Sequence, residues 1–254
     1  MSNLHIHDLL AYDGLKIIQK DDLFKFSLDS LLLGDFVNIN PRVKNIIDLG
    51  CGLGPVSFYM SLKTKAKIIG VDIQEEVIHL ARESAKLNHL ETQVSFLHED
   101  IKDVYKHFET NQFDIVVCNP PFYKSKDSKQ HNDLASLSIA RHEVMLNLSD
   151  LFDAGKRLLK QGGILYFIHR VERMDEIIIE MNKHHFVAKR IRFVYTLAHK
   201  EAKMLLVEAR YNGSMGSLII EQPLYIHDEN NQYTDEVLRI FHLGDENYEK
   251  TSSL

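Results

Sequence analysis

The chain has 254 residues, of which 44% are hydrophobic and 26% charged, and this ordinary globular mix excludes a disordered, collagen-like or coiled-coil protein. Thirty basic against 36 acidic side chains give a net charge of −6, so the chain as a whole does not attract nucleic acid, and only a local basic patch could bind phosphate. The two cysteines exclude a disulfide framework and suit a reducing compartment. No signal-peptide pattern and no run of about 20 apolar residues is present, so we expect a soluble cytoplasmic protein.

In chain order, the first predicted element is a short apolar helix over residues 28–39, placed to cover the sheet or the mouth of a ligand site. Continuous apolar runs follow, each bounded by turn residues or polar residues, and they predict strands buried on both faces of a parallel sheet. These runs are residues 45–49, 67–72, 113–118 and 163–168, and a fifth run at residues 93–98 alternates more but fits the same series.

Helical patterns lie between these strands, at residues 75–88 and, as a two-part helix stopped by Gly162 and Gly163, at residues 135–160. Residues 187–197 and 203–211 are strand-like and close in sequence, which favours an antiparallel pair at one edge. The alternation predicts an α/β fold, a doubly wound, mostly parallel, seven-stranded Rossmann-like sheet. We predict an N-terminal cap at residues 1–40, the main domain at 41–225 and a polar C-terminal tail at 226–254, with one short helix at 234–242.

A glycine-rich loop follows the first buried strand. Gly50, Gly52 and Gly54 permit a tight turn and a close approach of the backbone to a ligand. A dinucleotide fingerprint requires glycine or alanine at position 55, where this chain has Pro55, so a nicotinamide cofactor is disfavoured. The alternative is a glycine turn without a ligand.

Acidic residues follow the next two strands. Asp72 lies 22 positions after Gly50, at a spacing that suits ribose hydroxyls, although it could instead cap the helix at 75–88. Asp100 could accept a hydrogen bond from the amino group of an adenine held between Ile73 and Ile101, or it could be a solvated loop acid.

The fourth strand ends in Asn119, Pro120, Pro121 and Phe122. The prolines make a rigid turn at the carboxyl end of a central strand, where open α/β sheets bind ligands. The side-chain oxygen of Asn119 and the backbone oxygen of Pro120 are two acceptors that suit an NH₂ group, and Phe122 offers a flat face for a planar base. The alternative is a structural proline turn with Phe122 in the core.

Together, the glycine loop, Asp72, Asp100 and the Asn119–Phe122 motif resemble the class I S-adenosylmethionine-dependent methyltransferases that modify planar NH₂ groups. More narrowly, the chain resembles the bacterial tRNA adenine-N6 methyltransferases that act next to the anticodon of a valine tRNA. Three further features support this likeness: the segment FKFSLDSLLLGDF ahead of the glycine loop, a polar loop after the proline motif, and IARHE at residues 139–143. That family usually has tyrosine where Phe122 stands.

The resemblance implies an enzyme that uses S-adenosylmethionine to methylate the N6 amine of an adenine in tRNA, 3′ of the anticodon. It implies a catalytic motif of Asn119, Pro120, Pro121 and Phe122, with Phe122 stacking on the base. The implied cofactor-binding residues are Phe26, Ser27, Asp48, Gly50, Cys51, Gly52, Gly54, Asp72, Ile73, Asp100, Ile101 and Asn119. The tRNA is expected to contact Phe122, Tyr123, Lys124, Lys126 and Lys129.

Related motifs leave alternatives open: methylation of the N2 amine of guanine in ribosomal RNA, methylation of glutamine in release factors, or a binding module that has lost catalysis. The 14 histidines have no neighbouring cysteine or carboxylate pattern with zinc spacing, so we expect no metal. His169 and Arg170 follow the fifth strand and either reach phosphate or lie on the surface.

Overall fold

The structure, a computed structural model, describes residues 4–12, 14–21, 27–120, 147–246 and 248. Its helices are α1 (Leu28–Phe36), α2 (Pro55–Lys63), α3 (Glu75–Leu87), α4 (Leu148–Leu158), α5 (Met174–Lys183) and α6 (Asp235–Phe241). Its strands are β1 (Leu4–Asp8), β2 (Lys16–Lys20), β3 (Asn45–Leu49), β4 (Lys67–Asp72), β5 (Val94–His98), β6 (Phe113–Cys118), β7 (Leu159–Arg170), β8 (Phe186–Tyr195), β9 (Ala202–Tyr211), β10 (Ile219–Ile220) and β11 (Leu224–Tyr225).

The main sheet has the predicted doubly wound topology. Its order is β10-β8-β9-β7-β6-β3-β4-β5, with β11 also paired to β8. The strands β3 to β7 are mutually parallel, and β9 runs antiparallel between β7 and β8. In the part of the chain that the structure describes, this sheet has nine strands, not the predicted seven. The two extra strands, β10 and β11, have two residues each and are too short to produce a pattern in the sequence.

Helices cover both faces of the sheet and give two hydrophobic cores. One core contains side chains of α1, α2, α3 and α6, and the other contains those of α4 and α5. Strands β3, β4 and β6 are buried along almost their whole length, which explains their continuous apolar sequences. The loops at the carboxyl ends of these strands are therefore anchored in the buried centre of the sheet.

The N-terminal segment is attached to the helices of one face. β1 and β2 form an antiparallel hairpin, and the backbone N–H of Ile18 in β2 donates to Ser84 Oγ of α3 at 2.9 Å. The hairpin was not predicted, because every residue of β1 is exposed and the apolar side chains of Leu4 and Ile6 are on the solvent side.

Helix α1 is fastened to α2 at its C-terminal end. Lys63 Nζ donates to the backbone oxygens of Gly34, Asp35 and Val37, at 3.0, 2.5 and 2.7 Å. These are carbonyls that a helix end leaves without intrahelical partners. Tyr59 of α2 packs so closely on Gly34 that an added Cβ there would lie 2.7 Å from its ring. The two helices therefore form one rigid unit.

The predicted helix boundary at Gly162 and Gly163 is wrong. We predicted that Gly162 and Gly163 end a helix, whereas α4 ends at Leu158 and both glycines lie within β7. Gly162 has a φ of 74°, and the pairing register of β6 and β7 shifts nearby, so the glycines accommodate an irregularity in the sheet. Residues 121–146, including the first part of the predicted helix at 135–160, lie outside the described residues.

The predicted C-terminal helix forms as α6, and its N-cap Thr234 accepts a hydrogen bond from the backbone N–H of Val237. Val237 and Ile240 of α6 are buried in the first core. Within the described ranges, no helix combines the length and the apolar character that crossing a lipid bilayer requires.

Candidate active site

The carboxyl ends of β3, β4 and β6 lie side by side at one edge of the sheet. Leu49, the last residue of β3, is paired with Val71 of β4 and with Cys118 of β6. The next residue of each strand is therefore Gly50 in the centre, with Asp72 on one side and Asn119 on the other. Neighbouring strands are about 4.8 Å apart, so the three main groups that the sequence singled out converge on one place.

The glycine loop has the backbone conformation that glycine alone adopts readily. Gly50, Gly52 and Gly54 have φ angles of 69°, 54° and 87°. A Cβ on Gly54 would lie 2.6 Å from the ring of Phe96, whereas one on Gly52 would meet no atom of the described residues within 4 Å. The loop is therefore packed against the protein at Gly54, whereas no described residue crowds it at Gly52, where a ligand could approach the backbone.

Asp72 holds this loop in place. Its Oδ2 accepts a hydrogen bond from the backbone N–H of Gly52 at 3.0 Å, and its Oδ1 accepts from the backbone N–H of Gln74 at 2.9 Å. The residue that caps α3 is Gln74, so the alternative in which Asp72 is the helix cap is wrong. Gln74 Nε2 also donates to Oδ1, at 3.3 Å, and because a carboxylate has about four acceptor positions, Asp72 retains capacity for a ribose hydroxyl.

Asp48 is almost completely buried, with 1% of its surface exposed. Its Oδ2 accepts a hydrogen bond from Ser57 Oγ at 2.7 Å, and its Oδ1 meets no donor in the part of the chain that is described. Burial raises the pKa of Asp48 to about 7, and the nearby charge of Asp72 adds to the rise while the Ser57 hydrogen bond opposes it. Cys51, the next predicted loop residue, is buried, and burial raises the pKa of its thiol.

The predicted adenine residues follow β4 and β5. Asp100 Oδ1 accepts from the backbone N–H of Lys102 at 2.9 Å, in a turn of the chain. Ile73 is half-buried, and its backbone oxygen lies 2.9 Å from His98 Nε2. Ile101 is buried in the second core beside Val71. These residues lie next to Asp72, and their contact with an adenine stays a prediction.

Asn119 is the polar group on the other side of the glycine loop. Its Nδ2 donates a hydrogen bond to Ser30 Oγ of α1 at 3.1 Å. Its Oδ1 is shielded from solvent and has no hydrogen-bond partner among the residues that the structure describes. A buried acceptor without a partner costs about 1–3 kcal/mol, so this oxygen is expected to have a donor when the site is at work.

Several predicted site residues lie outside the described residues: Phe26, Pro121, Phe122, Tyr123, Lys124, Lys126 and Lys129. Pro120 is described and is buried. Ser27 is the N-cap residue of α1, and its hydroxyl contacts Asp29 Oδ2 at 3.3 Å. Burial raises the pKa of Asp29, which the Ser27 hydroxyl counteracts. Ser30 and Asp29 were missed because neither belongs to a motif whose chemistry can be read without the fold.

Two arginines beyond the site form ion pairs within the protein. Arg190 is paired with Glu208 and Glu221, at 2.9 and 2.8 Å, and Arg192 is paired with Glu236 at 2.8 Å. His169 is buried, and its burial, together with the charge of Arg173, lowers the pKa of its imidazole to about 4. His169 is therefore neutral at pH 7, which argues against an electrostatic phosphate contact. Within the described ranges, no group of three or more histidine, cysteine or acidic residues could hold a metal.

The polar groups at this edge fit a nucleoside-containing cofactor. The open side of Gly52 admits close contact with the backbone, and the Asp72 carboxylate lies beside it. A glycine loop after β3 and an acid after β4, at the carboxyl ends of an open α/β sheet, lie where such folds bind nucleotide-containing ligands.

A family model described as "Methyltransferase domain" matches residues 42–241. The chain therefore belongs to the methyltransferase domain family, and it is a methyltransferase of Rossmann-like fold. A tRNA1(Val) (adenine(37)-N6)-methyltransferase of Porphyromonas gingivalis is 26% identical over 240 residues, covering 92% of this chain and 93% of the relative.

Two further comparisons frame this result. A putative protein N5-glutamine methyltransferase of Methanocaldococcus jannaschii is 27% identical over 164 residues, covering 63% of this chain and 78% of the relative. The crystal structure of a predicted O-methyltransferase from Agrobacterium tumefaciens superposes with a TM-score of 0.67 at 22% identity, covering 85% of this chain and 96% of that chain. The structural likeness concerns the fold alone, whereas the adenine-N6 relative is matched along nearly its whole length.

Proposed function

We propose that this protein transfers the methyl group of S-adenosylmethionine to the N6 amine of an adenine in tRNA, at the position 3′ of the anticodon. The near full-length match to a tRNA adenine-N6 methyltransferase supports the substrate class. The match to the glutamine methyltransferase is shorter and leaves 37% of this chain uncovered, since it spans 63%. A tRNA substrate implies a cytoplasmic enzyme.

The observation that carries the proposal is the partnerless Oδ1 of Asn119. This oxygen has no donor among the described residues and lies one strand from the glycine loop. An exocyclic amine has two N–H donors, so it supplies what the oxygen lacks. The backbone oxygen of Pro120 is the second acceptor in the proposal.

The side chains at this edge would hold the cofactor and aim it. The ribose hydroxyls would donate to Asp72, the backbone of the glycine loop would contact the amino-acid part, and Asp100 would accept from the adenine amine. Bound S-adenosylmethionine would supply an electrophilic methyl group to the N6 lone pair and leave as the neutral thioether, and the methylated amine would release one proton to solvent.

The protein's part in the reaction is to make the amine a better nucleophile and to align it. The lone pair of an adenine amine is delocalised into the ring. Hydrogen bonds from its two N–H groups to Asn119 and Pro120 would favour a pyramidal nitrogen, which localises the lone pair. Fixed acceptors and fixed alignment supply most of the acceleration in such a site. The target base must leave its stack, and Phe122 would provide a new stacking surface.

The test is nucleoside analysis by mass spectrometry, after the protein and S-adenosylmethionine have been incubated with unmodified tRNA. We expect N6-methyladenosine in the anticodon-loop fragment of a valine tRNA. N2-methylguanosine, or methylglutamine formed in a release factor in place of any tRNA product, would replace this proposal with one of the two alternatives. A protein that binds the cofactor and methylates none of these substrates would be a binding module.

A further inference from the structure

The inference concerns Ser30, which lies in the first turn of α1 and has 4% of its surface exposed. Its Oγ accepts a hydrogen bond from Asn119 Nδ2 at 3.1 Å. The two residues are 89 positions apart in sequence, so this contact exists only in the fold. Among the described residues, Ser30 is the hydrogen-bond partner of the Asn119 side chain.

An asparagine amide has two different ends. The oxygen accepts hydrogen bonds, while the NH₂ group donates them, and the ends exchange when the amide rotates by 180°. In one orientation Asn119 presents an acceptor to a substrate amine, and in the other it presents two donors, which repel the donors of that amine. The orientation of this amide therefore decides whether Asn119 helps the reaction or opposes it.

We propose that Ser30 is a positioning residue that holds the amide of Asn119 with its oxygen toward the substrate amine. This inference rests on the proposed function. With Oδ1 directed at the substrate, Nδ2 requires an acceptor in a buried place, and the Ser30 oxygen supplies it. Without that hydroxyl, the amide end that faces residue 30 has no partner in either orientation, so the hydrogen bond that holds the amide in the observed orientation is lost.

The backbone holds Ser30 in position. The N–H of Ser30 donates to the oxygen of Ser27 at 3.1 Å, and the far end of α1 is bound to Lys63 of α2. Ser30 does not touch the reacting atoms in this proposal. Its effect passes through Asn119, and the two residues must therefore behave as one unit.

The first experiment measures single-turnover methylation of tRNA by Ser30→Ala, Asn119→Ala and the double variant. One hydrogen bond contributes a factor of roughly 3 to 10, so we expect Ser30→Ala to lower the rate at saturation by about that factor, with unchanged cofactor affinity. In the Asn119→Ala background, Ser30→Ala should have no further effect. Equal rates for Ser30→Ala and the unaltered enzyme, or full additivity in the double variant, would overturn the inference.

Ser61→Ala is the matched control. Ser61 is also a buried helical serine, and its hydroxyl donates to the backbone oxygen of Phe58 at 2.6 Å, away from Asn119. Both alanine variants lose one buried hydroxyl, so they should unfold at similar temperatures, while only Ser30→Ala loses rate. Ser30→Thr keeps the hydroxyl and should recover most of the rate. A rate loss in Ser61→Ala as large as in Ser30→Ala would show that the slower reaction of Ser30→Ala comes from lower stability, and it would overturn the positioning role.

A binding experiment separates this inference from the proposed function. The probe is a bisubstrate analogue in which N6 of adenosine is joined to the methyl position of the cofactor, and calorimetry compares it with S-adenosylhomocysteine. The unaltered protein should bind the analogue more tightly, and Ser30→Ala should lose about 3- to 10-fold of that preference. No preference in the unaltered protein would refute the adenine amine as substrate. A preference that Ser30→Ala fully retains would refute the positioning role alone.

Discussion

The two sides of the glycine loop differ in how far the protein satisfies its own polar groups. On the β4 side, both oxygens of Asp72 accept backbone hydrogen bonds, from Gly52 and Gln74. On the β6 side, Asn119 uses its nitrogen on Ser30, and its oxygen is without a partner in the described structure. Asp72 thus has a donor on each oxygen without any ligand, whereas Asn119 Oδ1 has none among the described residues.

The difference separates stability from catalysis. A residue that closes the cofactor loop supports the fold as well as the ligand, so its loss should change both the free energy of unfolding and the cofactor affinity. A residue that keeps an acceptor free for the substrate should change the rate and leave both of these nearly unchanged. The following predictions test this division, beginning with the largest expected effect.

Asn119→Ala should lower kcat about 10²- to 10³-fold, because it removes the acceptor proposed for the reacting amine. The dissociation constant of S-adenosylhomocysteine and the melting temperature should be nearly unchanged. Single-turnover kinetics and calorimetry measure these quantities, with the surface variant Asn182→Ala as the control. A rise in KM at constant kcat would mean that Asn119 acts only on bound ground-state substrate.

Asp72→Ala should weaken cofactor binding about 10- to 100-fold, since hydrogen bonds to a charged group contribute about 1.5–3 kcal/mol. The variant should also be less stable without cofactor, because the backbone N–H of Gly52 loses its acceptor. Calorimetry and urea unfolding test both effects, and Asp103→Ala, which removes a surface carboxylate paired with Lys106, is the control. Unchanged affinity would remove the ribose assignment.

Asp48 should make stability depend on pH. Its pKa is about 7 in the folded chain and 3.8 as a free side chain, so the folded state holds the proton more tightly between these values. The free energy of unfolding should therefore fall by about 2 kcal/mol as the pH rises from 5 to 7, on account of this group. Urea unfolding of the unaltered protein and of Asp48→Asn should show this slope only with aspartate. Parallel pH curves would contradict it.

The smallest predicted effect concerns the lysines of the segment that follows Pro120. Replacing Lys124, Lys126 and Lys129 by alanine should weaken tRNA binding several-fold and flatten its salt dependence, with cofactor affinity unchanged. The control is the triple alanine variant of Lys44, Lys65 and Lys67, which removes the same charge at the amino ends of β3 and β4, the opposite edge of the sheet. If both triple variants have the same salt slope, the phosphate contacts lie elsewhere.

The central part of the fold could be predicted to the residue. The strands β3, β4 and β6 begin and end where their apolar runs do, because burial on both faces demands an unbroken apolar sequence. The positions of Asp72 and Asn119 beside Gly50 follow from the strand order alone. The family resemblance was confirmed at the level of the family.

The remaining features depend on tertiary packing. Every residue of β1 is exposed, and β10 and β11 have two residues each. None of these strands therefore produces a periodic apolar pattern in the sequence. Glycine is common at helix ends, which is why Gly162 and Gly163 were interpreted as a helix stop. In the fold they lie instead where the pairing of β6 and β7 is irregular. The hydrogen bond of Ser30 to Asn119 joins two distant segments, which no local motif reveals.

The hydrogen bonds of Lys63 to the carbonyls of Gly34, Asp35 and Val37 join the C-terminal end of α2 to that of α1. Helix α2 starts at the glycine loop, and α1 starts beside Asn119. The joined helices therefore connect the two halves of the site. The separation between methyl donor and methyl acceptor is then a property of the folded chain. Under the proposed function, a base would be methylated only where the RNA can bring its amine to that position.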